Sequence, residues 1–285
     1  MRKTSLALFT APLAAALALA ACAAGGGDAP AALLSAQHRT ALAAAIAAPT
    51  RMPANVARDR YRHPLETLSF FGVRPSDTVV EIWPGGGWYT EILAPYLRQG
   101  GGTYYAAAMG ANGNAGVRRL MEANPALYGN VRLAAFPAFD AADVRVPDGT
   151  ADVVLTFRNV HNWRMGYQRP ERADYSAEAF AQMFRMLRPG GTLGVVDHRL
   201  PEAASDERER TSGYIKVSTV TRLAEAAGFR LAASSEVNAN PQDTADWPNG
   251  VWTLPPALRL GDQDRARYLA IGESDRMTLR FVKPR

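Results

Sequence analysis

The chain has 285 residues, of which 47% are hydrophobic and 21% are charged, and its formal net charge is +5. This length and composition suffice for one large globular domain with a buried core. The net charge is small, and acidic and basic residues are interleaved along the chain, so we expect no nucleic-acid partner.

The N-terminus has the pattern of an export signal. Arg2 and Lys3 precede an apolar stretch, residues 6–21, that is too short to span a bilayer core of about 30 Å. The stretch ends in "LAAC", which resembles the bacterial lipoprotein signal, where the cysteine becomes the lipid-bearing first residue. Cys22 is the only cysteine, so it cannot form a disulfide within the chain.

These features predict a signal peptide over residues 1–22 and a flexible tether of small residues over 23–34. We expect Cys22 to carry lipid and to anchor the protein to a membrane facing the periplasm. Ala23 follows it rather than an acidic residue, which favours the outer membrane by resemblance to such lipoproteins. The alternative is an ordinary cleaved signal with a cysteine there by chance.

Residues 35–285 are predicted to form a single domain. Two helices, over residues 35–48 and 55–71, form its N-terminal part, which extends to residue 75; strands and helices then alternate. The predicted strands cover residues 78–83, 102–107, 131–136, 151–157, 191–197, 230–237 and 277–283, and the later helices cover 88–98, 115–123, 177–187 and 218–227. Short apolar strands alternating with helices predict a parallel sheet covered on both faces. No helix separates the last two strands, so we expect them to pair antiparallel.

A glycine turn follows the first predicted strand, in "VVEIWPGGGWYTEIL" at residues 79–93. In an open α/β sheet the ligand crevice lies at the carboxyl ends of the strands, where Gly85, Gly86 and Gly87 would let the backbone approach a ligand. The N-terminus of the next helix would favour a carboxylate there. A nicotinamide-binding turn would need its packing glycine at Thr90, which speaks against that alternative. The other alternative is that the three glycines only form a tight turn and bind no ligand.

Polar residues follow the fourth and fifth predicted strands at the same edge. Arg158, Asn159 and His161 follow the fourth, and Asp197 and His198 end the fifth. Histidine titrates near neutral pH, so both histidines are candidate bases, although either could instead be structural. His161, Asp197 and His198 lack a recognised ligand spacing, so no metal is predicted.

Residues 238–276 are predicted to form a lid, called the lid segment below. We expect the preceding strand to be parallel to its neighbours, so that the segment leaves from the crevice edge. It is much longer than the usual connection of about 4 to 6 residues. Its many turn-forming residues and two tryptophans, Trp247 and Trp252, are typical of a loop that orders over a ligand.

The chain from about residue 58 onward resembles the class I S-adenosylmethionine-dependent methyltransferases, and among them an exported bacterial group described as predicted methyltransferases. The segments that carry the resemblance are "VVEIWPGGGWYTEIL", "LTFRNVHNW", "GVVDHR", "EVNANPQDTADWPNGVWTLPP" and "YLAIGESDRMTLRFVKP". The resemblance implies a Rossmann-like fold, with a mostly parallel seven-stranded sheet, an antiparallel last strand and helices on both faces. It also implies S-adenosylmethionine as the cofactor and a methyl acceptor as the substrate.

The glycine turn and its resemblance to the family place the cofactor-binding residues, and the polar loops at the crevice edge place the catalytic ones. The predicted cofactor-binding residues are Glu81, Trp83, Pro84, Gly85, Gly86, Gly87, Tyr89 and Thr90, and the predicted catalytic residues are Arg158, Asn159, His161, Asp197 and His198. Two positions depart from the family pattern. Trp83 and Pro84 replace the start of the turn, and alanines occupy the place of the acid that follows the second strand, with Asn112 and Asn114 as candidate substitutes.

Three functions are compatible with this sequence. The first, which we expect, is a methyltransferase located outside the inner membrane. The second is a binding module that kept the fold and exchanged the ligand, and the third is a different enzyme that uses Asp197, His198 and His161. Fold alone does not separate them, because one fold can carry many functions.

Overall fold

The computed structural model describes residue 1, residues 34–110 and residues 112–285. The predicted signal peptide, Cys22 and nearly all of the predicted tether lie outside the described residues. Among the residues that are described, no helix is long and apolar enough to cross a membrane.

An eight-stranded sheet forms the centre of the domain. The strands are β1 (Thr78–Ile82), β2 (Thr103–Ala108), β3 (Arg132–Ala135), β4 (Ala151–Phe157), β5 (Leu187–Leu200), β6 (Ile215–Lys216), β7 (Arg230–Ser235) and β8 (Arg276–Val282). Their order is β3-β2-β1-β4-β5-β8-β7, and β6 pairs with the end of β5. Strands β1 to β5 are mutually parallel, and β8 is antiparallel to both β5 and β7. The predicted class I methyltransferase-like topology, with its antiparallel last strand, is confirmed.

One detail of the expected topology is wrong. The last two predicted strands, β7 and β8, pair antiparallel as expected, so the further expectation that β7 is parallel to its neighbours is wrong. Since β8 is antiparallel to β5 as well, β7 still runs in the direction of β1 to β5. The lid segment therefore leaves β7 at the carboxyl edge of the parallel strands.

Twelve α-helices surround the sheet in the described part of the chain. They are α1 (Ala36–Ile46), α2 (Pro53–Val56), α3 (Asp59–Arg62), α4 (Pro64–Phe71), α5 (Thr90–Gln99), α6 (Ala115–Ala123), α7 (Pro125–Tyr128), α8 (Val160–Arg164), α9 (Ser176–Met186), α10 (Asp206–Thr211), α11 (Val217–Ala226) and α12 (Arg265–Ile271). Helices α8, α9 and α11 bury apolar side chains against one face of the sheet, and α1, α4 and α5 do so against the other.

Alternate residues of β1 supply the two cores. Val80 and Ile82 belong to the core beneath α8 and α9, whereas Val79 belongs to the core beneath α1 and α5. Successive side chains of a strand point to opposite faces, so Glu81 shares the face of Val79. The Glu81 side chain, next to last in β1, therefore lies on the face of the sheet that α1, α4 and α5 cover.

The single helix expected over residues 55–71 is wrong, because the chain forms three short helices there. His63 lies between α3 and α4 in the left-handed region, with φ of 42°, and Pro64 begins α4. Proline disfavours the helical conformation of the residue before it, so the chain turns at this point. The turn lets α3 lie across the carboxyl edge of the sheet while α4 packs on its face.

The lid segment packs at the carboxyl edge of the sheet. Ala245 and Val251 form a small apolar cluster with Leu200, at the end of β5, and with Tyr214. The ring of Trp252 lies 6.4 Å from that of His161, which follows β4. The segment thus covers part of the edge where a ligand crevice was expected.

Candidate functional site

The turn after β1 leaves backbone exposed at two of its three glycines. Gly85 has φ of 59°, and a Cβ added at either Gly85 or Gly86 would meet no atom within 4 Å. At Gly87, by contrast, a Cβ would lie 2.6 Å from Cδ1 of Leu120 on α6. Gly87 therefore allows helix packing, and Gly85 and Gly86 leave open space in front of the backbone.

That open space is part of a cavity of about 300 Å³, called the crevice cavity below. Its walls come from α2, α3, the end of β1, the glycine turn and the loop after β4. The predicted site residues that line it are Glu81, Trp83, Pro84, Gly85, Gly86, Tyr89, Arg158 and Asn159. The other predicted site residues, Gly87, Thr90, His161, Asp197 and His198, are not among its lining residues.

Glu81 is nearly fully buried at the end of β1. Its Oε2 accepts a hydrogen bond from the Tyr104 hydroxyl at 2.5 Å, and that hydroxyl lies 2.8 Å from Oγ1 of Thr90. Burial raises the pKa of Glu81 to about 7, against the opposing effects of the Tyr104 hydrogen bond and the positive charge of Arg62. Thr90 thus contacts the Tyr104 hydroxyl that donates to Glu81, and Thr90 does not line the cavity.

Aromatic rings make the apolar walls of the crevice cavity. The Tyr89 ring stacks on Phe157 with centroids 3.6 Å apart and planes at 14°. Burial raises the pKa of the Tyr89 hydroxyl, so it stays protonated. The indole of Trp83 turns towards β3, where its Nε1 donates to the carbonyl of Phe136 at 2.8 Å. Trp83 adopts φ of 51°, a left-handed conformation in place of the glycine usual at this point of the family turn.

Two arginines from the N-terminal helices line the cavity and were missed from the sequence. Arg58 and Arg62 stand one helical turn apart, so both project from the same side of α3. Arg62 is only 3% exposed, and burial, followed by the charge of Arg158, lowers its pKa to about 9. The i, i+4 spacing of Arg58 and Arg62 was the only signal in the sequence. A single helix over residues 55–71, as expected, gave no reason to place these side chains in the crevice.

A buried carboxylate from the far end of the chain holds these arginines. Oε1 of Glu273 accepts from Nε of Arg58 at 2.7 Å, and Oε2 accepts from Nε of Arg62 at 3.3 Å and from Nη1 of Arg276 at 3.0 Å. Burial works to raise the pKa of Glu273, but the charges of Arg62 and Arg276 outweigh it and lower the pKa to about 2. Glu273 is therefore ionised throughout the neutral range.

His161, Asp197 and His198 are brought together, as their positions after β4 and in β5 suggested. Nδ1 of His161 lies 2.7 Å from Oδ1 of Asp197, whose oxygens also accept from the backbone N–H of His161 at 3.2 Å and of His198 at 2.7 Å. Nδ1 of His198 lies 2.5 Å from Oγ of Ser274. Burial, and then the neighbouring His161, lower the pKa of His198 well below its usual value, so that ring is neutral at neutral pH.

The same three residues could offer ligand atoms to a metal, since these atoms lie within 4.8 Å of one another. The oxygens of Asp197, however, already accept three N–H groups. Hydrogen bonding thus accounts for the cluster as it stands. It favours a histidine held in place by a carboxylate.

A second cavity of about 300 Å³ lies at the ends of β2 and β3, beside Asn114 and Arg118. Nδ2 of Asn114 donates to the carbonyls of Ala106 and Ala134, both at 3.2 Å, while its Oδ1 is buried without a partner. Asn112 is exposed. Of the two candidate substitutes for the missing acid, Asn114 is the one that offers a free acceptor at this cavity.

Residues 80–195 match the family model described as a methyltransferase domain. This region begins in β1 and ends in β5, so it contains the glycine turn and the loop after β4. No curated protein matches the sequence.

Solved structures share the fold at low sequence identity. The crystal structure of a SAM-dependent methyltransferase from Aquifex aeolicus has 15% identity and a TM-score of 0.52, over 80% of this chain and 93% of that chain. A chain from the complex of the Haloferax volcanii Trm112 methyltransferase activator with its proposed methyltransferase has 17% identity and a TM-score of 0.51, over 86% of this chain and 98% of that chain. These likenesses show a class I methyltransferase fold.

The matched domain and the fold imply S-adenosylmethionine as the cofactor. The residues present fit such a group in two respects. The crevice cavity has open backbone at Gly85 and Gly86, where a ligand can approach the chain closely. The free Oδ1 of Asn114 can accept a hydrogen bond from a hydroxyl at the second cavity.

Proposed function

We propose that the protein is an S-adenosylmethionine-dependent methyltransferase acting on a small-molecule or cell-envelope acceptor. The observation that carries this proposal is the crevice cavity. It lies at the carboxyl edge of the parallel strands, within the region that matches the methyltransferase domain, and its walls include the open glycine backbone and the loop after β4. This edge is where open α/β sheets bind their ligands.

The residues of the chain have definite tasks in this reaction. The cofactor, when bound, supplies a methyl group on a positively charged sulfur, which is already activated. Gly85 and Gly86 admit a ligand to the backbone, and Tyr89 and Phe157 present apolar walls that exclude water. The protein must then orient the acceptor and, for a hydroxyl or amine, remove its proton.

His161 is the candidate base for that proton. Asp197 holds its Nδ1, which leaves Nε2 as the nitrogen that can accept a proton and stabilises the imidazolium that would form. His161 follows Arg158 and Asn159 in the loop that borders the crevice cavity, so a proton could leave the cavity at this side.

The same histidine and aspartate favour a second candidate function, an enzyme of another class on this fold. Such an enzyme would use Asp197, His198 and His161 and would not need S-adenosylmethionine. The binding module with an exchanged ligand would not bind it either. Binding of the methyl donor therefore separates the first function from the other two.

Calorimetry with S-adenosylmethionine and its demethylated product tests the proposal. We expect both to bind the domain from residue 35 onward with micromolar affinity, about −8 kcal/mol or weaker, since the ribose acid of the family is missing. Gly86→Val should abolish binding, because its side chain would stand in the open space of the cavity without touching other protein atoms.

The matched control is Ala226→Val, an exposed position at the end of α11. It should bind as the wild type does. If the wild type shows neither heat nor thermal stabilisation at millimolar S-adenosylmethionine, the methyltransferase proposal is wrong and one of the other two functions takes its place.

We also propose that the protein is exported and held on a membrane by lipid on Cys22, facing the periplasm and at the outer membrane. The support is the sequence of residues 1–23 alone: a positive start, an apolar stretch, "LAAC" and Ala23. An enzyme at that place would meet acceptors of the cell envelope.

A further inference from the structure

The crevice cavity carries more positive than negative charge. Arg58, Arg62 and Arg158 are among its lining residues, and Glu81 is the one acid among the described residues that line it. Burial raises the pKa of Glu81 to about 7, so this carboxyl group carries only part of a negative charge at neutral pH. The nearby Glu273 is ionised, but it is shared among several arginines.

Glu273 leaves donors of these arginines unused. Its carboxylate receives the Nε atoms of Arg58 and Arg62 and also Nη1 of Arg276. Nη2 of Arg58 and Nη2 of Arg62 remain buried without a partner. Arg58 and Arg62 thus bring to the wall of the cavity positive charge that Glu273 must share with Arg276.

Arg158 is the third donor, and its backbone is strained. Its guanidinium makes no hydrogen bond or ion pair with any residue of the described chain, although its backbone N–H donates to Val196 at 2.7 Å. Its φ is 64°, in the left-handed region that residues other than glycine rarely adopt. Strain of this kind concentrates at ligand sites, where the surrounding structure enforces it.

We propose that the methyl acceptor is an anion whose carboxylate or phosphate group binds Arg158 in the crevice cavity, beside the positive charges of Arg58 and Arg62. Its identity as the acceptor rests on the proposed function. S-adenosylmethionine carries an ammonium, a sulfonium and one carboxylate, so it adds positive charge to a site that already has a surplus. An anionic acceptor offsets both charges, and planar guanidinium groups suit oxyanions because they donate two parallel hydrogen bonds.

The experiment measures binding of inorganic phosphate and, separately, acetate to the protein without S-adenosylmethionine. Calorimetry is done at constant ionic strength set with chloride, so that general screening does not contribute. We expect at least one of the two anions to bind the wild type, and the one that binds more tightly identifies the group as phosphate or carboxylate. If neither anion binds at tens of millimolar, the proposal is wrong.

Arg158→Asn should weaken this binding by about tenfold or more, as expected when a charge-assisted hydrogen bond is lost. Asparagine tolerates the left-handed conformation, so the melting temperature should not fall. Arg158→Lys keeps the charge but loses the planar pair of donors, and it should bind with intermediate affinity. The control is Arg222→Gln, an exposed position on α11, which should bind as the wild type does. Equal binding by Arg158→Asn and the wild type would overturn the assignment.

A titration of S-adenosylmethionine with and without the anion separates this inference from the proposed function. We expect the anion to tighten binding of the methyl donor several-fold, and the donor to tighten binding of the anion equally. Donor binding that phosphate and acetate leave unchanged would overturn the inference and preserve the proposed function. Anion binding through Arg158 without any donor binding would contradict the proposed function and support an anion site with another use.

Discussion

Glu81 is a carboxyl group held in a nearly dry site, where Tyr104 donates to it and Arg62 lies close by. Burial raises its pKa to about 7 in the folded protein, whereas an unfolded chain keeps the ordinary value of about 4.3. The folded state therefore binds this proton more tightly than the unfolded state. The resulting stability is complete below the unfolded pKa and is lost as the pH rises through the folded pKa.

We expect Glu81→Gln to flatten the dependence of stability on pH. In the wild type this group should reduce the free energy of unfolding by about 3 kcal/mol between about pH 4.5 and pH 7. Glutamine cannot ionise, so the variant should lose this decline and be relatively more stable near neutral pH. Urea unfolding at a series of pH values measures it.

Glu225→Gln provides the matched control, since Glu225 is exposed on α11. It should keep the pH dependence of the wild type. An unchanged decline in Glu81→Gln would mean that Glu81 is already ionised in the folded protein.

The positions of residues that end a strand or come directly after one could be predicted from the sequence. The parallel strands bring Glu81, Gly86 and Arg158 to one edge, because each ends or follows a strand of known direction. Arg62 and Glu273 could not be placed this way. Their meeting depends on a bend at His63 and on 211 residues of separation along the chain, neither of which leaves a local pattern.

At the scale of elements, the lid segment joins parts of the molecule that are distant in sequence. The Arg259 guanidinium lies over the Trp252 ring at 4.5 Å, and that ring lies beside His161. Asp243 accepts hydrogen bonds from Tyr214 and from Trp247. The segment is thus tied to the edge through Asp243 and Trp252, although it contains little regular secondary structure.

We expect binding of S-adenosylmethionine to order this segment further. Closure over the crevice would slow amide hydrogen exchange in residues 244–262, because loops that exclude water from a site are drawn from the less stable parts of a fold. Mass spectrometry of exchange with and without the ligand measures it. Residues 217–226 of α11 serve as the internal control and should not change. Equal exchange of residues 244–262 in both states would mean that the segment does not close.

Elements with a strong period were predictable, and short ones were not. The seven predicted strands are all present, because each contains at least three apolar residues and lies between turns. The two-residue β6 and the single turn of α8 have too few residues to show a period. The break between α3 and α4 was missed because the apolar spacing continues across Pro64, while the conformation before a proline does not.

At the scale of the whole molecule, the crevice is assembled from separate stretches of chain. Arg58 comes before β1, Arg158 follows β4, and Glu273 precedes β8. The apolar cores on the two faces of the sheet hold these stretches together at one edge. The site therefore depends on the complete fold. The proposed task of residues 1–23 is to determine where the protein resides.

That task gives the last prediction, which concerns where the whole protein resides. If Cys22 carries lipid, Cys22→Ser should move the full-length protein from the membrane fraction to the soluble periplasmic fraction. Each buried methylene of an acyl chain contributes about 0.8 kcal/mol, so a lipoprotein anchor with several chains is held stably and the protein without it is not.

Fractionation after a high-salt wash, with labelling by a fatty-acid analogue, measures both location and lipid. The wild type should be labelled and sediment with membranes, and Ser35→Ala, a change in the cap of α1, should behave in the same way. A Cys22→Ser variant that remains in the membrane fraction would show that something other than this lipid holds the protein there.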